Sequence, residues 1–151
     1  MNGQVNFEKT ANEATSWVQQ IAKKAGQPDR PDWALSALKT VLQTLRDRTP
    51  LQEVFHLSAQ MPVLIRGLYF EGYKPTGKPD KMNAKQFLAR IESDLGENNN
   101  ISAEQALYAV LKLLYEKISE GEMEDIRRSM PADIQKLWAK SIRPGEALVK
   151  S

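Results

Sequence analysis

The chain has 151 residues, 41% apolar and 26% charged, with 21 Lys+Arg against 19 Asp+Glu and a net charge of +2. That length holds one domain or two very small ones, and a core forms without covalent staples because folding buries about 70% of the unfolded surface. The near-neutral balance supplies no long-range field to draw nucleic acid, and the absence of cysteine excludes disulfides, thiolate zinc sites, iron–sulfur clusters and cysteine nucleophiles. The N-terminal stretch from Met1 to Glu8 lacks the basic start and apolar run of a signal peptide. No apolar run approaches the roughly 18 residues of a membrane span, so the expectation is a soluble, cytoplasmic protein.

Strand signals are nearly absent and helical periodicity runs through the chain, which predicts an all-α fold. Phe7, Ala11, Ala14, Val18, Ile21 and Ala25 form one stripe, closed by Gly26. Leu35, Leu38, Leu42 and Leu45 form a second. Thr49-Pro50-Leu51-Gln52 reads as the capped start of a short third helix. Met61-Pro62 breaks it and opens a fourth, running to about Phe70. From Glu71 to Met82 two prolines and two glycines make a linker. A capping box at Asn83-Ala-Lys-Gln86 opens a helix with Phe87, Leu88, Ile91 and Leu95 inward, ended by Gly96 before a polar loop from Glu97 to Asn100. Ser102-Ala-Glu-Gln105 caps the next helix, and Ser119-Glu-Gly-Glu122 a short one. Met130-Pro131 breaks that, and a last helix ends near Lys140 ahead of a frayed tail.

The two halves read alike. Met61-Pro62 and Met130-Pro131 stand 69 positions apart. At that offset Ala34, Leu38, Val41 and Leu45 meet Ala103, Leu107, Val110 and Leu114, Glu53 meets Glu122, and Tyr69 meets Trp138. Upstream the offset becomes 70, where Trp17 and Gly26 meet Phe87 and Gly96. The expected architecture is about eight helices in two tandem four-helix repeats, each long, long, short, short, packed pseudo-symmetrically into one helical domain. The first repeat covers 1–70, the linker 71–82, the second repeat 83–140 and a flexible tail 141–151.

The string His56-Leu-Ser-Ala-Gln60-Met-Pro62 with Arg66-Gly-Leu-Tyr69-Phe-Glu-Gly-Tyr73, followed by Phe87, Gly121-Glu122, Met130-Pro131 and Leu137-Trp138, resembles the family of unknown function 2267 (DUF2267) of small bacterial and archaeal helical proteins. The resemblance runs from the first helix to Lys140. Family members more often carry Leu before the two prolines and Trp at the end of the long string, where this chain has Met61, Met130 and Tyr73. It implies an all-helical fold and no known activity.

Candidate functional residues are few. His56 is the single histidine, with Glu53 and Gln60 on its helix face. The favoured reading is a capped or surface histidine hydrogen-bonded to its helical neighbours, and one histidine without cysteine argues against a catalytic zinc site. No catalytic residue, metal ligand or cofactor is assigned. At the 69-residue offset His56 faces Asp125 and Gln60 faces Ser129, so this face differs between halves whose core positions match. A ligand or partner contact is therefore placed on His56, Gln60, Arg66 and Tyr73. Tyr69, Phe70 and Tyr73 are expected to pin the linker to the core, and Gly67 to mark a close helix approach. Glu122 and Asp125 read as first-turn helix charges. The basic residues around the linker and Arg127-Arg128 suggest a helix-turn-helix, but Glu120, Glu122, Glu124 and Asp125 oppose phosphate there.

The expected function is a non-enzymatic helical protein-interaction module, with a protein partner and without nucleic acid or membrane. A nucleic-acid-binding module on the short helix pairs is one rival, and an enzyme or small-ligand binder using His56 is another. Oligomeric state stays open.

Overall fold

The computed structural model describes residues 3–96 and 101–142 and contains, among them, eight helices and no strand. They are α1 (Glu8–Lys24), α2 (Pro31–Arg48), α3 (Leu51–Ser58), α4 (Val63–Phe70), α5 (Ala84–Leu95), α6 (Ala103–Lys117), α7 (Glu120–Arg128) and α8 (Ala132–Ile142). The fold is all-α, as the periodicity predicts. The polar loop at 97–100 and the tail from 143 onward lie outside the described residues.

Local chemistry explains several helix ends. Asn83 and Ser102 each accept a hydrogen bond from the backbone N–H three residues on, while Gln86 and Gln105 reach back to the cap N–H, completing both predicted capping boxes. After α1 the backbone turns left-handed at Gly26 (φ 73°), and its N–H and that of Gln27 donate to the carbonyls of Lys23 and Ala22, the pairing of a Schellman stop. One predicted cap is not made. Thr49 does not cap α3, whose N-cap is Pro50 without a side-chain bond. Its hydroxyl instead donates to the Leu45 carbonyl at 2.5 Å, finishing α2. The last helix runs two residues past the expected end, to Ile142.

The core centres on α2 and α6, which pack against each other. Leu38, Val41 and Leu42 of α2 and Leu107, Val110 and Leu111 of α6 are all but fully buried. Complete burial of each leucine is worth about 1.5–3 kcal/mol. Both α1 and α5 pack against α2 and α6 alike, so neither half keeps a private core. The short pair α3 and α7 meets at one end of this arrangement, and α4 and α8 cover the flanks. Two stripes reach beyond the core that covers them. Phe7 is exposed at the start of α1, as is Ala11, and Leu35 stands in the first turns of α2. Gly67 is exposed, and a Cβ there would meet nothing within 4 Å, so no close helix approach occurs at it.

Candidate functional site

The meeting of α3 and α7 sets two carboxylates beside the single imidazole. Met123 and Ile126 turn one face of α7 into the core, and Val54 and Leu57 do the same for α3. That rotation carries Glu122 and Glu53 to the seam between the two helices. Glu122 is only 8% exposed. His56 follows one turn after Glu53, with its Nδ1 3.5 Å from Glu53 Oε1 and 3.9 Å from Glu122 Oε1. One ligand atom from each of the three lies within 4.8 Å of the others. The imidazole is half exposed and opens the cluster to water.

Glu53 Oε2 and Glu122 Oε2 are both buried with no hydrogen-bond partner. Two adjoining carboxylates in such a place require a positive charge between them, either a proton or a cation. Without a cation, burial first, then the hydrogen bond and charge of Glu53 and the charge of Asp125, push the Glu122 carboxyl up to about 8. Glu122 does stand in the first turn of α7, but its carboxyl is turned inward against Glu53 and not toward solvent as a first-turn charge would be.

The other sequence candidates take separate places. Gln60, one turn beyond His56, bridges α3 to the start of α7. Its Nε2 donates to Ser119 Oγ at 3.1 Å, and its Oε1 accepts from the Ser119 backbone N–H at 2.7 Å. Arg66 donates to the carbonyls of Ser58 and Met61 at 2.9 Å each, closing the C-terminal end of α3. Tyr73 lies under the Arg46 guanidinium, 4.8 Å from ring centroid to Cζ, and against Phe70. Thus His56 and Gln60 share the α3–α7 seam, while Arg66 and Tyr73 hold the α3–α4 turn and the linker. Tyr69 is fully buried and its hydroxyl donates to the Val54 carbonyl at 3.1 Å. Phe70 stacks between Tyr69, Tyr73 and Phe55, so these rings do join the linker to the core.

Much of the basic surface is internally paired. Arg90 contacts Asp47 and Asp80, Arg127 bonds Glu124 at 2.9 Å, and Arg128 bonds Asp125 at 2.9 Å. Gln135 of α8 donates to the Met130 carbonyl and accepts from Arg127.

A second feature was not legible in the sequence. Ala14 and Val18 of α1, Leu35 of α2, and Ile65 and Leu68 of α4 line an open apolar groove of about 390 Å³. Leu64, exposed one turn before Leu68, extends its α4 wall.

The fold and these two features define a small all-helical protein in which two short helices bring together side chains from the two halves of the sequence. Among the described residues no helix is long and apolar enough to cross a membrane. The chain belongs to the family described as uncharacterized conserved protein (DUF2267), whose profile matches residues 14–137. A comparison with curated proteins finds no match.

Proposed function

We propose that the chain is a cytoplasmic, non-enzymatic interaction module that receives an amphipathic helix of a partner protein in the groove between α1, α2 and α4. The observation that carries this reading is the placement of the exposed large apolar side chains. Among the described residues these are Val5, Phe7, Leu35, Phe55, Val63 and Leu64, all in the first half of the chain. On the 69-residue pairing of the halves, Leu35, Phe55, Val63 and Leu64 match Glu104, Glu124, Ala132 and Asp133. On that pairing the second half carries polar or small residues where the first carries leucine, phenylalanine and valine, which speaks against a purely structural need for them. Single exposed apolar residues are ordinary, but Leu35 on the rim of a concave apolar floor, with Leu64 one turn from Leu68, marks a contact surface. Three helices forming the walls of a shallow trough suit apolar anchors one helical turn apart.

The test compares wild type with the double variant Leu35→Glu, Leu64→Glu in mild-salt affinity purification from the native host, with a photo-crosslinker at Val18. Both positions are exposed, so each substitution should change stability by no more than about 0.5 kcal/mol. The expected result is a stoichiometric protein crosslinked at Val18 and lost from the variant. Identical eluates from both forms, or an eluate dominated by nucleic acid, would refute the reading.

A further inference from the structure

We propose that Glu53, His56 and Glu122 form a binding site for one divalent first-row transition-metal ion, zinc in the first instance, which clamps α3 to α7. The site is independent of the apolar groove.

Three features of the geometry carry this. The first is the donor set. Two carboxylates and one imidazole converge from two helices, and imidazole nitrogen with carboxylate oxygen suits zinc, manganese or iron better than calcium or magnesium. The second is spacing. Ligand bonds of about 2.1 Å in a tetrahedron set the donors about 3.4 Å apart. The imidazole nitrogen stands 3.5 and 3.9 Å from the two carboxylates, and all three donors fall within 4.8 Å of one another. Closing that triangle needs side-chain movements of less than about 1 Å. The third is the orphaned oxygens. Glu122 is more than nine-tenths buried, and its Oε2, like that of Glu53, is buried without a hydrogen-bond partner. A shared proton would satisfy the two carboxyls alone and gives His56 no part. A cation uses all three groups.

The surroundings hold the site ready. The two hydrogen bonds between Gln60 and Ser119 fix the spacing of α3 and α7 next to the cluster. The half-exposed His56 leaves an entry path, and water completes the coordination.

The test titrates the chelator-stripped full chain with ZnCl₂, with MgCl₂ as the control, and follows both calorimetric binding and the melting temperature. The expected result is one zinc per chain and a rise of about 5–10 °C at a hundredfold excess over Kd, with no effect of magnesium. Cobalt should give a visible d–d spectrum of low coordination number. Glu122→Gln keeps the shape of the carboxyl and removes a ligand. His56→Ala alters an exposed side chain whose loss does not threaten the fold. Each should reduce zinc affinity at least tenfold, and the metal-free melt of His56→Ala should stay within about 3 °C of wild type. Should Glu122→Gln not fold, His56→Ala alone decides. Absence of binding, binding that survives both substitutions, or an equal response to magnesium would overturn the proposal, and the first of these would leave a shared proton as the occupant.

Discussion

Arg46 is the side chain whose removal should cost the fold most for its size. It lies 5% exposed at the end of α2. Its Nη1 donates to the carbonyls of Tyr69 at 2.8 Å and Glu71 at 3.0 Å, the last acceptors of α4. Its Nε and Nη2 pair with Asp47, and its face lies over Tyr73. Substituting methionine keeps much of the volume and removes every donor. Each charge-assisted bond is worth about 1.5–3 kcal/mol net, and the cation–π contact adds about 0.5–1 kcal/mol. The desolvation that the guanidinium no longer suffers offsets part of that sum, leaving an expected loss of about 3–5 kcal/mol. For a chain of this length that lowers Tm by about 6–20 °C. Calorimetry, with urea melts to check that the slope is unchanged, reads it directly. Arg48, whose Nε makes a long bond to the Met82 carbonyl at 3.3 Å, serves as control, with less than about 1 kcal/mol expected for Arg48→Met. If Arg46→Met melts within 2 °C of wild type, the view that α2 caps α4 and fastens the linker through this residue is wrong.

Gly67→Ala should stabilise the chain by about 0.5–1 kcal/mol, because the position is helical, exposed and open to a Cβ; a lower melting temperature would contradict that geometry. In the metal-free chain Glu122 titrates at about 8 when folded against an ordinary 4.5. The folded state therefore keeps a proton that the unfolded chain releases, and stability contributed below pH 4.5 is lost as pH rises toward 8. Melting temperatures of wild type and Glu122→Gln in chelator should diverge in favour of the variant from pH 5 to 8, with Glu53, His56, Tyr69 and Asp125 as the charged or titratable neighbours to control for; parallel curves would rule this out. Burial and the hydrogen bond to Glu124 push the Tyr115 hydroxyl up to about 12, so absorbance at 295 nm should show a phenol ionising about two units late and lost in Tyr115→Phe. The stability it lends is present below pH 10 and disappears between 10 and 12.

What was legible in the sequence was local. Asn83 with Gln86, Ser102 with Gln105, and Gly26 act within a single turn of backbone, so their outcome hardly depends on the rest of the chain. Thr49 failed as a cap because two helices meet there without a loop, and the hydroxyl belongs to the earlier one. The stripes at Phe7 and Leu35 had the right period, but period cannot say where the covering neighbour stops. His56 and Glu53 are legible together because they share one turn. Glu122 has the sequence signature of a first-turn charge only, since nothing in α7 alone reveals that α3 lies against it. The one available signal was the 69-residue match of Glu53 with Glu122. Two matched positions on helices that touch are apt to touch each other.

The way α1 lies on α6, and α5 on α2, has a consequence for how the chain counts its copies. Each half finds its cover in the other, and only residues 71–82 make that other half belong to the same molecule. Every one of these contacts would be equally well satisfied by the complementary half of a second chain. The linker acts by raising the concentration at which a half meets its own partner. Shortening it until it can no longer fold back, while keeping Tyr73 and Met82 against the core, should exchange the halves between two chains and keep the same helices in contact.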